Sequence, residues 1–188
     1  MKIPRRIAQT LMNSLKGGVV PRIGLQYVTV GRSQEIDALL RDVEIIADGH
    51  HVPSSLLKMI VKIKGVDKVI LVTDSMRGAG MPEGPSILGG LEDGQQCIVE
   101  DGVAKLMDRS GFAGSVCTPD RLIRTMTSIG DCTLEQAVQM ASLNPARAMG
   151  IADRKGSLEA GKDADIIIFD ENVTVSTTIV GGRKVYNA

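Results

Sequence analysis

An α/β fold is predicted for this chain of 188 residues. Two stretches predict it. Residues 43–74 read as strand, amphipathic helix, strand. Residues 156–188 read as short strands joined by tight turns, a small β-module without a helix. A third observation sharpens the first: both strands of the 43–74 unit run into loops rich in acids and imidazoles, Asp48, His50 and His51 after one and Asp74 after the other.

In chain order, residues 3–16 suit either a short basic amphipathic helix or a strand end, and residues 17–34 are Gly-rich and irregular. VEIIADGHHV (43–52) predicts a buried strand over Val43 to Ala47 that ends in Asp48-Gly49-His50-His51. PSSLLKMIVKIKG (53–65) predicts a helix. Pro53 suits its start, Leu56, Leu57, Ile60, Val61 and Ile63 line one side, and Gly65 ends it. KVILVTD (68–74) is a second buried strand, mostly β-branched and lacking polar alternation. Strand, helix and strand imply two parallel strands with a right-handed crossover. Both strands then end on one edge of one sheet, the edge where α/β folds usually place their chemistry. Asp74 alone reads equally as a turn-former or N-cap. Its convergence with Asp48 and His51 favours a chemical role, whereas His50 reads as a surface or packing residue.

Residues 85–110 predict β-hairpins inserted after that strand, with Asp101-Gly102 as a two-residue turn. Residues 119–129 and 133–149 predict helices. Thr133 and Gln136 form a capping box before an apolar stripe of Leu134, Ala137, Val138 and Ala141. Asn144-Pro145 breaks that helix and starts another.

Composition narrows the function. Net charge is zero, which removes any global case for nucleic acid or an anionic membrane as partner. Charge is uneven, however: Lys2, Arg5, Arg6, Lys16, Arg22 and Arg32 lie in residues 1–34 without a single acid. That is either a solvated basic face or an attraction to phosphate. Cys97, Cys117 and Cys132 form no CxxC and read as reduced thiols. No apolar run approaches the roughly 18 residues of a membrane span, so a cytoplasmic protein is expected. Aromatics are 2% of residues, so the core must be built from aliphatic side chains.

The stretches IIADGHHV, LVTDSMRGAGMPEG, GFAGSVCTPDRLIR, ASLNPARAMGI and GSLEAGKDADIIIFD together resemble the N-acetylglucosamine-6-phosphate deacetylase family of metal-dependent amidohydrolases, over about residues 43–187. The resemblance implies a (β/α)8 TIM-like barrel plus a small β-sandwich built from both chain ends. Residues 1–155 would be a partial barrel and 156–188 the C-terminal half of the sandwich. A full barrel takes about 250 residues, so the chain is expected to be the C-terminal portion of such an enzyme. It implies hydrolysis of the acetyl amide of N-acetylglucosamine 6-phosphate, with the galactosamine epimer a near neighbour. It assigns Asp74 as general base, then acid, and as a metal ligand. His51, with Asp48 and Gly49 shaping its loop, contacts the substrate near the reacting amide. Phe112, Ala113 and Gly114 contact the sugar, and Asn13 and Ser14 lie near its phosphate.

The chain departs from the family elsewhere. The family's other metal ligands, a His-x-His pair, a Glu and a His, come from earlier strands and have no counterpart here. Thr10 of QTLMNSL (9–15) stands where a metal-binding His belongs, and Pro21 stands where the family has an Arg for the phosphate, with Arg22 next door. The zinc or iron that the family implies is therefore not expected to be held by this chain alone, because such sites take three or more protein ligands. A few barrel strands also leave a free sheet edge and an uncovered face. A homo-oligomer or a missing N-terminal portion is expected to complete them, and the chain alone is expected to be inactive. The alternative is a non-catalytic remnant or assembly module that keeps the fold signature.

Overall fold

β1 (Val43–Ile46) and β2 (Val69–Val72) pair in parallel, from Val43 opposite Val69 to Ile46 opposite Val72. This computed structural model describes residues 42–188. The readings for residues 3–34, Asn13 and Ser14 among them, lie outside the described residues. A helix, α1 (Ser54–Lys64), and a single 3-10 turn, Val66–Lys68, connect the two strands as the sequence predicts. Val69, Ile70 and Leu71 of β2 are buried. β1 is less so: Ile45 is buried, but Glu44, on the opposite pleat, is exposed.

Two details of α1 correct the expectation. Pro53 occupies the N-cap position, just outside the helix. Ile63 is 71% exposed, because it stands six residues, or about 240° of helix rotation, from buried Leu57. Ile60 and Val61 pack against the core instead. Gly65 ends the helix at φ 78°, its N–H donating to the Val61 carbonyl at 2.8 Å.

β3 (Gly84–Leu88), β4 (Gln95–Glu100) and β5 (Val103–Leu106) form an antiparallel sheet. Asp101 and Gly102 both have positive φ, 54° and 70°. That is the two-residue geometry favoured by right-twisted hairpins. Then come α2 (Pro119–Ser128), α3 (Leu134–Ala141) and α4 (Leu143–Ala148). The Thr133–Gln136 capping box forms with both of its bonds, at 2.9 and 3.3 Å. Leu134 is exposed, and Ala137 and Met140 are the buried residues of α3. The break falls at Ser142, so Asn144 and Pro145 lie in the first turn of α4.

Asn144 is buried and clamps the entrance of β2. Its Nδ2 donates to the carbonyls of Val66 and Val69, each at 2.7 Å. Gln139 Nε2 steadies the same corner by donating to Asp67 Oδ1 at 2.6 Å. The main core contains Ile45, Leu57, Val69, Leu71, Leu122, Met126 and Met140. Its buried members include no aromatic ring, as the composition predicts.

The tail forms an antiparallel sheet of β6 (Ile166–Phe169), β7 (Val175–Val180) and β8 (Arg183–Asn187). Val173, in the β6–β7 turn, is 6% exposed and belongs to the main core, and Phe169 packs beside it. Arg124 of α2 donates from Nη1 to the Val173 carbonyl at 3.0 Å. Val173 has φ 58°, a left-handed conformation unusual for a β-branched residue. Asp170 Oδ1 holds this turn by accepting from the N–H groups of Asn172 and Thr174. No helix among the described residues is long and apolar enough to cross a membrane.

Candidate active site

Ile46 and Val72 face each other in the parallel pair, and two residues beyond each stands an aspartate, Asp48 and Asp74. Asp48 is 1% exposed. Its Oδ1 accepts from the N–H groups of His50 and His51, each at 2.9 Å. Its Oδ2 meets His51 Nδ1 at 2.8 Å. Burial pushes the Asp48 carboxyl up, but the two backbone N–H groups and the imidazole outweigh it and hold the group below its ordinary value. Gly49 makes the turn possible with φ 87°, a conformation that a side chain would strain.

The His51 imidazole lies against Phe112, with ring centroids 4.8 Å apart and planes at 48°. Phe112 is 46% exposed and Ala113 is buried, its N–H donating to the Ala104 carbonyl at 2.8 Å. Beyond them the chain runs parallel to the segment after β2. Ser115 N–H donates to the Asp74 carbonyl at 3.1 Å, and Met76 N–H donates to the Ser115 carbonyl at 2.8 Å. Gly114 takes φ 87° here, a conformation that a side chain would strain, although a Cβ would find room at ordinary contact, 3.6 Å from that of Met76 and 3.7 Å from the Asp74 carbonyl oxygen. One loop, residues 112–115, thus touches His51 at its start and Asp74 at its end.

Asp74 is exposed, with φ 47°. Among the described residues its carboxylate has neither an ion-pair nor a hydrogen-bond partner. It opens on a groove of about 390 Å³ lined also by Ser75, Met76, Arg77, Ile87, Leu88, Gly89 and Gly114. Arg77 bonds through Nη2 to the Gly89 carbonyl, which ties the β3–β4 turn to the loop after Asp74. Arg121 Nη1 donates to the Gly102 carbonyl at 2.8 Å and fixes the β4–β5 turn to α2.

The structure therefore brings Asp48, Gly49, His51 and Phe112 together, and Asp74 and Gly114 together, with the 112–115 loop between them. His50 is exposed, as expected. Sequence reasoning misses Arg77, Ile87, Leu88 and Gly89. Arg77 lies close enough to Asp74 in the chain to be a candidate; the hairpin residues reach the groove only through tertiary packing.

Among the described residues, no group of three or more His, Cys, Asp or Glu side chains is placed to hold a metal ion. Asp74 offers one carboxylate and His51 one free nitrogen, Nε2, which is fewer than the three protein ligands such a site takes, so the described residues do not by themselves fit a metal centre. Cys117 is buried near Asp48, and its thiol is pushed up to about 11, first by burial and further by the charges of Asp48 and Asp120, against the opposing pull of Arg121 and Arg124.

The amidohydrolase family pattern matches residues 25–185. The chain belongs to the amidohydrolase family. This amidohydrolase is 40% identical to the N-acetylglucosamine-6-phosphate deacetylase of Lysinibacillus sphaericus over 154 residues, 82% of this chain and 38% of the relative. It is 33% identical over 141 residues to the N-acetylgalactosamine-6-phosphate deacetylase of Escherichia coli O157:H7, 75% of this chain and 36% of the relative. A solved structure of the Mycobacterium smegmatis N-acetyl-D-glucosamine-6-phosphate deacetylase, a D267A mutant with N-acetyl-D-glucosamine-6-phosphate bound, superposes with a TM-score of 0.70 at 31% identity. It covers 78% of this chain and 38% of that one. The chain thus spans under two fifths of the length of these relatives.

Proposed function

We propose that this amidohydrolase chain contributes the acid–base edge of an active site that removes the acetyl group from N-acetylglucosamine 6-phosphate or its galactosamine epimer. One observation carries the reading: Asp74, at the end of a buried strand, offers a carboxylate without a partner among the described residues to an open groove. Buried strands seldom deliver an unpaired acid for packing reasons, and a positioned carboxylate is suited to proton transfer. Asp74 takes a proton from the attacking water as its oxygen bonds to the amide carbonyl carbon. It then gives that proton to the amide nitrogen as the C–N bond breaks, leaving acetate and the amino-sugar phosphate. His51 meets the substrate near the reacting amide, and Phe112, Ala113 and Gly114 flank the sugar. The described residues offer no ligand set for the zinc or iron that the family implies.

On this reading β1 and β2 are the last two strands of a (β/α)8 barrel. Residues 1–155 form its partial segment and 156–188 the C-terminal half of a β-sandwich, in a cytoplasmic protein. A second copy or an N-terminal portion supplies the rest. The lack of a three-ligand group among the described residues favours one competing reading, a non-catalytic remnant or assembly module.

Two measurements on the 188-residue chain decide between them: acetate release from N-acetylglucosamine 6-phosphate with and without added zinc, and calorimetric binding of the same compound. Binding by the wild type, with any acetate release lost in Asp74→Asn, supports the deacetylase reading. A folded chain that neither binds the sugar phosphate nor releases acetate supports the remnant. Acetate release undiminished in Asp74→Asn removes Asp74 from the chemistry.

A further inference from the structure

Every N–H that the Asp48 carboxylate meets belongs to the loop that carries His51. Oδ1 takes the backbone N–H groups of His50 and His51, and Oδ2 faces Nδ1 of the His51 ring at 2.8 Å. With its side chain 1% exposed, Asp48 leaves little room for a substrate to touch it. An ionised carboxylate only accepts hydrogen bonds, so the ring nitrogen facing it must carry the hydrogen. The other ring nitrogen, Nε2, is then the one with a lone pair, and it has no partner among the described residues. Turning the ring over would replace Nδ1 by a carbon and lose the bond to Asp48. The Phe112 ring, 4.8 Å away, packs against the imidazole and resists that turn.

We propose that Asp48 is a positioning residue: it holds the His51 imidazole in its Nδ1–H tautomer and presents Nε2 to an amide substrate as the atom that exchanges a hydrogen bond or proton. Nε2 accepts from a substrate N–H or hydroxyl. The role toward an amide rests on the deacetylase reading; the tautomer does not.

The test uses the fact that the chain has only two histidines. The ring-15N-labelled 188-residue chain gives two imidazole spin systems, and His50→Gln assigns them. With the ring neutral, His51 is expected with Nδ1 protonated and Nε2 bare. Asp48→Asn is expected to invert this. Its amide oxygen must stay with the two backbone N–H donors, so its NH2 group faces Nδ1 and donates to it, which forces the hydrogen onto Nε2. A wild-type His51 that is mainly Nε2–H overturns the proposal, and so does an Asp48→Asn ring that keeps the wild-type tautomer. The wild-type spectrum decides the matter even if the variant does not fold. Where the chain releases acetate, folded Asp48→Asn is expected to lose about 100-fold or more in kcat with KM little changed. Full kcat alongside an inverted tautomer counts against the role. A locked tautomer in a chain that binds no sugar phosphate keeps Asp48 as the residue that sets the tautomer and removes the role toward an amide together with the deacetylase reading.

Discussion

Asp48 and Asp74 occupy equivalent places, two residues past the paired ends of neighbouring parallel strands, yet they live differently. Asp48 is buried and both of its oxygens are engaged by its own loop. Asp74 is exposed and faces a groove without a partner among the described residues. The residues just after each aspartate make the difference. Gly49 folds the chain back so that the next two N–H groups meet the Asp48 carboxylate. Asp74, at φ 47°, turns the chain alongside Ser115, which takes up the Asp74 carbonyl and the Met76 N–H without help from the Asp74 side chain. At one sheet edge, then, one acid builds the loop and the other is left without a partner among the described residues.

The sharpest way to break this comparison is to mutate each acid in turn. Where the chain releases acetate, Asp74→Asn is expected to cost roughly 10²- to 10⁴-fold in that release, and in any case stability in urea stays within about 0.5 kcal/mol of wild type. A large fall in stability would make Asp74 structural and erase the distinction. Asp48→Ala is expected to cost roughly 2–4 kcal/mol in the same urea titration, because it leaves buried backbone N–H groups and the His51 ring unpaired. A loss below about 0.5 kcal/mol would mean that water satisfies the loop equally well.

Asn144→Ala tests the opposite end of β2. It should cost roughly 1–3 kcal/mol by freeing the carbonyls of Val66 and Val69. The His51 ring spectrum should not move, since the clamp lies at the strand's entrance. A shifted ring would mean that the two ends of the strand are coupled.

The smallest effect is the acid limb of stability. The Asp48 carboxyl lies below its ordinary value in the folded chain, so the stability it contributes is present above the unfolded value of about 3.9. That stability is lost as pH falls through the folded value. Urea midpoints measured down to pH 3 should therefore fall less steeply in Asp48→Asn than in wild type. Equal slopes would place the acid sensitivity in other carboxylates, such as Asp120, which is likewise held low despite burial by its bonds with Thr118 and Arg124.

The parts of this picture legible in sequence are those set by local physics. The strand–helix–strand unit, the Thr133 capping box and the Asp101-Gly102 turn each arise from a few adjacent residues. Apolar identity alone misplaces Ile63 and Leu134, because it takes no account of helix angle, and it passes over Met140, which does face the core. Ile87, Leu88 and Gly89 carry no mark of the groove they line, since a hairpin must first fold across to meet Asp74. The pairing of Asp48 with His51 is within reach of sequence, because a three-residue spacing across Gly49 lets the carboxylate meet the ring.

Val173 has a consequence for how the chain is made. Its side chain completes a core otherwise drawn from residues 45–140, with Phe169 packed alongside. A ribosome releases the chain from its N-terminus, so the helices and the parallel pair emerge while that place in their core is still empty. Until residue 173 clears the exit tunnel, the half-finished core keeps apolar surface in contact with water, and such surface invites association. Slowing translation between the codons for residues 140 and 173 should prolong that exposure, and the newborn chain should spend it bound to a chaperone.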